Sequence, residues 1–280
     1  MFTPDQYQLI DFGDARRLER FGPLVLDRPC PSAEGFTPAS RASWSTADAR
    51  FHRPGGGDGV WKSDVELPRT WDISHGPFRL ELKPTAVGHL GIFPEQAENW
   101  DWIARQVEAV EQPPRVLNLF AYTGGSTLAA AAAGAEVVHL DAAKNTVAWA
   151  RRNAELSGMA DLPIRWIADD VRKFLRREMK RENKYDAIIL DPPSYGHGTR
   201  GEVWRLSKHL EQILRSCVAL TSGRRRFMLL TCHTPGYDAR RLARMAEDAF
   251  GPGQIEAKQM TIRSASGGRL PAGVVVRWSS

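Results

Sequence analysis

Cysteine is scarce in this chain. Cys30, Cys217 and Cys232 are its only three among 280 residues, with no CxxC pair and no His/Cys cluster at metal-ligand spacing. That argues against a disulfide framework and a structural zinc site, and no metal is expected. Long hydrophobic runs are also missing: the longest run of small apolar residues, Leu128 to Ala133, falls far short of the ~20 residues that cross a bilayer. The opening MFTPDQYQLIDFGD has no basic region followed by an apolar one, so no signal peptide is expected and the chain reads as cytoplasmic. It contains no GxGxxG fingerprint and no Walker lysine, which counts against a dehydrogenase and a P-loop enzyme. Internal repeats and low-complexity tracts are absent too.

What remains is an ordinary globular composition, 42% hydrophobic and 25% charged, at a mean hydropathy of -0.38. The length suits one large domain, or one full domain with a smaller companion. A net charge of +5, supplied mostly by arginine, is compatible with an anionic partner and equally with solvated surface.

The pattern changes near residue 100. Residues 1–95 are proline-rich and carry short β-like runs at Tyr7–Phe12, Leu24–Leu26 and Phe78–Leu82, the last with strict apolar and charged alternation. They predict a small β-rich domain, a candidate for substrate recognition, with Ser40–Gly59 and its RPGGGDG run as an irregular loop. From 96 to 280 helices and strands alternate. Helices are predicted over Glu95–Val110, Ser126–Ala133, Lys144–Ser157, Val171–Glu182, Val203–Leu220 and Asp238–Phe250. Strands are predicted at Val116–Phe120, Glu136–Leu140, Ile164–Ala168, Ala187–Leu190, Arg226–Thr231, Ile255–Ile262 and Gly273–Trp278. The fold class is α/β: a doubly wound, mostly parallel, seven-stranded Rossmann-like sheet. Ligands of such sheets sit at the carboxyl ends of the strands.

Four strand ends carry polar residues. Asn118-Leu119-Phe120-Ala121-Tyr122-Thr123-Gly124-Gly125 joins a strand to a helix whose N-terminus can stabilise negative charge, or is simply a tight turn. Asp141 can accept from both hydroxyls of a ribose, or cap the next helix. Asp170, with Asp169 as its competitor, can accept from an adenine amino group, or cap. Most specific is Asp191-Pro192-Pro193-Ser194-Tyr195: two prolines fix an acceptor array, and a ring follows on which a flat heterocycle can stack.

The motifs from Val116 to Thr234 resemble the class I S-adenosylmethionine-dependent methyltransferases, and more narrowly the bacterial 23S rRNA large-subunit methyltransferases. The segments His75–Leu80 and His89–Gln96 extend the likeness to about residues 75–250. Two departures stand out: residues 1–70 do not match the family's PUA domain, and its Asp-Gln-Arg is Glu95-Gln96-Ala97 here. The resemblance implies S-adenosylmethionine as cofactor, with Asn118, Phe120, Tyr122 and Gly124 on its methionine side, Asp141 at the ribose, Asp170 at the adenine and Asp191 between cofactor and target. It implies a base in RNA, ribosomal, as substrate. The alternatives are a small-molecule or protein methyltransferase and a non-catalytic RNA-associated module.

The catalytic candidates are Asp191, Pro192, Tyr195 and Cys232. Cys232, in Thr231-Cys232-His233, is either a nucleophile for carbon-5 methylation or a buried structural thiol. For RNA phosphates the sequence offers Arg224-Arg225-Arg226, Arg240-Arg241-Arg244 and Arg16-Arg17-Arg20, and for unpaired bases the aromatic residues from Trp44 to Trp61, all of which could equally be solvated or core.

Overall fold

The computed structural model describes the chain except Pro54, Gly56, Val65 and residues 198–202. Its residues fall into two compact units, Met1–Ala97 with Thr261–Ala272, and Glu98–Met260 with Gly273–Ser280. This differs from a division at 95/96 in one respect: Thr261–Ala272 belongs with the first unit. Within that unit Ala265 N–H donates to the Leu9 carbonyl at 2.8 Å, a pairing that sequence separation conceals.

In the first unit β1 (Tyr7–Gly13), β2 (Arg16–Phe21), β3 (Leu24–Pro29), β4 (Ala49–His52) and β5 (Val60–Ser63) form one sheet in that order. Only the β3–β4 pair is parallel. β6 (Trp71–His75) and β7 (Phe78–Leu82) make a hairpin in which Phe78, Leu80 and Leu82 are buried, as their alternation requires. Ser40–Gly59 is not the irregular loop expected: it holds a 3-10 helix, Arg41–Thr46, and the four-residue β4, whose Ala-Arg-Phe-His alternation is only two residues long on each face. In its RPGGGDG run Pro54 and Gly56 lie outside the described residues.

Two fully buried carboxylates organise this sheet. Glu19 accepts from Tyr7 Oη and Arg28 Nε, each at 2.9 Å, and lies 3.1 Å from Arg17 Nε. Asp27 takes Arg16 at 2.5 Å and Arg50 at 2.6 Å. A buried charge must be paired, so these arginines are held inside the unit. Trp44 Nε1 donates to Asp11 at 2.9 Å and Trp61 Nε1 to the Thr85 carbonyl at 3.0 Å, so both indoles are likewise tied internally.

From Ala97 onward the chain runs α1 (Ala97–Glu108), β8 (Arg115–Leu119), α2 (Gly125–Ala132), β9 (Glu136–Asp141), α3 (Lys144–Leu156), β10 (Ile164–Ala168), α4 (Val171–Lys180), β11 (Ala187–Leu190), β12 (Tyr195–His197), β13 (Val203–Arg205), α5 (Leu206–Leu220), β14 (Phe227–Cys232), α6 (Ala239–Phe250), β15 (Gln254–Arg263) and β16 (Arg269–Ser279), with the ends of β15 and β16 that fall in Thr261–Ala272 belonging to the first unit. Seven of these strands form a sheet in the order β10-β9-β8-β11-β14-β16-β15. The strands from β10 to β14 are parallel, and β16 lies antiparallel to β14. All four residues of β11 and all six of β14 are buried, the continuous apolar runs of strands covered on both faces. Strand order reverses between β8 and β11, so their carboxyl ends flank the ligand crevice of the fold. At the start of α2 a Cβ on Gly125 would come within 2.4 Å of the Trp100 ring, so the helix approaches that indole only with glycine.

One helix begins later than expected: Val203–Arg205 is β13, antiparallel to β12, and α5 starts at Leu206. Among the described residues no helix is long and apolar enough to cross a membrane, and no group of three or more His, Cys, Asp or Glu could hold a metal ion.

Candidate active site

Asn118 does not reach the crevice. It is 2% exposed, and its amide nitrogen donates to Thr127 Oγ1 at 2.9 Å, which lies 2.9 Å from His139 Nδ1. Burial lowers the pKa of His139 to about 3, so this inward chain is uncharged. The resemblance implies Asn118 on the methionine side of the cofactor; its side chain faces α2.

The next turn does line the strand ends. Phe120 and Tyr122 adopt left-handed backbone at φ 57° and 49°, which costs of order 1–3 kcal/mol for a non-glycine residue and needs surrounding structure to hold it. Tyr122 N–H donates to Asp141 Oδ2 at 3.0 Å, and Ala121 N–H to the Leu140 carbonyl at 3.0 Å. Gly124 is the buried N-cap residue of α2. Asp141 thus anchors the neighbouring turn, and its other oxygen accepts from Ala143 N–H at 3.0 Å. Burial raises the Asp141 pKa, outweighing the backbone donors that lower it. Asp170 caps α4, accepting from Lys173 N–H at 3.0 Å. Asp169 pairs with Arg177, and its N–H donates to the Asp141 carbonyl at 3.0 Å, joining the ends of β9 and β10.

Asp191 N–H donates to the Leu119 carbonyl at 3.4 Å, setting the carboxylate beside the end of β8. Across the loop, His233 Nε2 lies 3.6 Å from Asp191 Oδ1, and the hydroxyls of Ser194 and Thr234 are 2.7 Å apart. Pro192 is buried; the Pro193 carbonyl accepts from Trp204 Nε1 at 2.5 Å. The Trp204 ring lies 4.9 Å from Phe120 and stacks on His209 at 5.2 Å. Tyr195 is 51% exposed, with the Arg205 guanidinium 6.0 Å from its ring.

Cys232 lies next to Thr234 but is closed off from the crevice. It is 1% exposed inside the apolar core, and burial pushes its thiol up, away from the thiolate that nucleophilic attack needs. Alternation at the end of β14 sends Cys232 inward and its neighbour His233 toward Asp191. Sequence reasoning did not place His233 beside Asp191. It missed Trp204 and Arg205, which a helical reading of 203–220 hid, and it missed Gly273. At φ 96°, Gly273 leaves room for the imidazole: a Cβ there would lie 2.7 Å from His233 Nδ1 and 2.8 Å from the Cys232 carbonyl.

The arginine runs are engaged within the chain only in part. Arg224 forms a two-point pair with Asp186, Nε at 2.9 Å and Nη2 at 3.0 Å. Arg225 donates to the Phe250 and Val218 carbonyls and lies over the Phe250 and Trp278 rings. Arg241 donates to the Gly236 carbonyl and covers Tyr237. Arg224, Arg226, Arg240, Arg241 and Arg244 are exposed.

Residues 36–237, which include every strand end described above, match the S-adenosylmethionine-dependent methyltransferase family. The chain belongs to that family. S-adenosylmethionine is therefore its methyl donor. The crystal structure of the SAM-dependent methyltransferase from Agrobacterium tumefaciens resembles this methyltransferase with a TM-score of 0.92 at 36% identity, over 98% of this chain and 90% of that one. The ribosomal RNA large subunit methyltransferase I of Aeromonas hydrophila is 39% identical over 110 residues, 39% of this chain and 27% of that protein. Its namesake from Escherichia coli K12 is 39% identical over 153 residues, 48% of this chain and 38% of the relative. The methyltransferase thus aligns with well under half the length of these curated relatives.

Proposed function

We propose that this methyltransferase transfers the methyl group of S-adenosylmethionine to a base in RNA, and that the RNA is ribosomal. The observation that carries the reading is the Asp191–Tyr195 loop. A fixed carboxylate at the fold's crevice stands beside an exposed tyrosine ring flanked by a guanidinium, an arrangement that suits a base stacked on Tyr195 with its polar edge toward Asp191. The names of the Aeromonas and Escherichia relatives support the substrate class.

The donor set at the strand ends fits the cofactor. Asp141 is an acceptor-only group able to receive two ribose hydroxyls, and Asp170 stands at the next strand end for the adenine. Phe120, Tyr122 and Gly124 shape the turn on the methionine side. When bound, S-adenosylmethionine supplies an electrophilic methyl group on a sulfonium. The chain aligns the acceptor, shields it from water through the Phe120–Trp204–His209 stack, and receives a proton at Asp191 with His233 beside it. Pro192 and Pro193 keep this loop rigid. The first unit assists in recognising the substrate, and the reaction belongs in the cytoplasm.

The test is transfer of tritium from labelled S-adenosylmethionine into undermodified ribosomal RNA, followed by mass mapping of the modified nucleoside. Incorporation into one nucleotide is expected. None, under conditions where cofactor binding is demonstrated, overturns the RNA reading.

A further inference from the structure

Beyond the arginine runs of the sequence, which are engaged within the chain only in part, positive charge is concentrated on a helix they do not include. α4 carries Arg172, Lys173, Arg176, Arg177 and Lys180 against one carboxylate, Glu178. Glu178 is fully buried and accepts from Tyr185 Oη at 2.6 Å and Asn183 Nδ2 at 2.8 Å. Its charge is turned inward while Arg176, Arg177 and Lys180 are exposed. This ten-residue helix has a net charge close to the whole chain's +5.

Resting on the RNA reading above, we infer that α4 and the groove beside it are the phosphate-binding track for the RNA substrate. Arg172, Arg176 and Lys180 recur every four residues, on one face at a spacing of about 6 Å along the axis. The stripe begins next to Asp170, at the rim that also holds Asp141. Between α4 and α5 lies a cleft of about 250 Å³, with Arg172, Lys173 and Arg176 and the capping carboxylate Asp170 on the α4 side and Gln212 and Ser216 on the other, over Met179 and Ile213. Cations opposite an amide and a hydroxyl, above an apolar floor, match a sugar-phosphate strand in both charge and hydrogen bonding. Arg172 donates toward His209 Nε2 at 3.0 Å, and His209 stacks on Trp204, so the track is joined to the target loop by direct contacts.

The experiment measures binding of a single-stranded ribosomal RNA fragment by fluorescence anisotropy across a potassium chloride series. It compares the unaltered chain, an Arg176→Glu/Lys180→Glu double variant, a milder Arg176→Gln/Lys180→Gln form, and an Arg105→Glu control on the exposed face of α1. The double variant is expected to bind more than tenfold more weakly at low salt. The gentler form should reduce the log–log salt slope by about 1.4, two phosphate contacts' worth on a single strand. The control should stay within twofold. Thermal melts of all four proteins establish that they are folded.

If the unaltered chain binds no RNA, the RNA reading falls and the track with it. If it binds and both α4 variants keep its affinity and slope, the RNA reading stands and the α4 inference is overturned. The inference is equally overturned if the variants lose binding to phosphatidylglycerol vesicles while RNA binding is unchanged, because the helix would then serve a lipid surface.

Discussion

Cys232 and His233 show how one step along a strand decides a residue's chemistry. Their types were legible in the sequence, but the side each faces was not, because it depends on where β14 stops. Cys232→Ala should keep methyl transfer within a few-fold and cost about 1–2 kcal/mol of stability from a small cavity; activity assays and denaturant melts check it. Loss of all transfer would restore the carbon-5 route. Gly273→Ala is the complementary change. Its Cβ would press on His233 and Cys232 from a backbone at φ 96°, so activity should fall with stability, by about 1–3 kcal/mol. Asp141 has a raised pKa, so the site should lose its charge on acidification earlier than an ordinary aspartate would allow. Cofactor affinity should therefore weaken as pH falls, starting above the usual carboxylate range, and Asp141→Asn should flatten that dependence. Isothermal titration at several pH values reads both effects.

Among the elements, the parallel strands and their helices were readable because each is a local pattern: an apolar run for β11, a proline stop before β8, a capping aspartate before α4. The β12–β13 pair was not. Three-residue strands carry too little alternation to register, and Val203–Arg205 joins directly onto a strong helical pattern in α5. The consequence is functional, because Trp204 holds the target loop from this pair. Trp204→Phe keeps the stacking and removes the bond to the Pro193 carbonyl. It should cost about 1 kcal/mol of stability and lower kcat more than the KM for S-adenosylmethionine, as steady-state kinetics would reveal. The charge on α4 was present in the sequence as VRKFLRREMK, yet runs of adjacent arginines drew attention elsewhere. Only the pairing of those runs in three dimensions separates internal charge from available charge.

At the scale of the whole molecule, a buried neutral histidine, His139, ties stability to pH. Burial lowers its pKa to about 3. The unfolded chain takes up a proton there near pH 6.5 while the native state does not. Its contribution to stability is thus complete above that pH and is lost as pH falls toward the native value, by about 1.4 kcal/mol per pH unit. Urea midpoints measured from pH 7 to pH 4 should decline accordingly, and more shallowly in a His139→Gln variant. The change in sequence pattern near residue 96 lies close to the boundary between the units after Ala97. The return of Thr261–Ala272 to the first unit was not legible, since no local signal marks a long-range strand partner.

That return has a consequence for synthesis. A ribosome that has made residues 1–260 has completed neither unit: the first lacks the segment that pairs with Leu9, and the second lacks β16, which lies between β14 and β15. Both units close only after residues 261–280 have emerged. A protein truncated after Met260 should bind chaperones and resist refolding as a whole, rather than shed one intact unit to limited proteolysis.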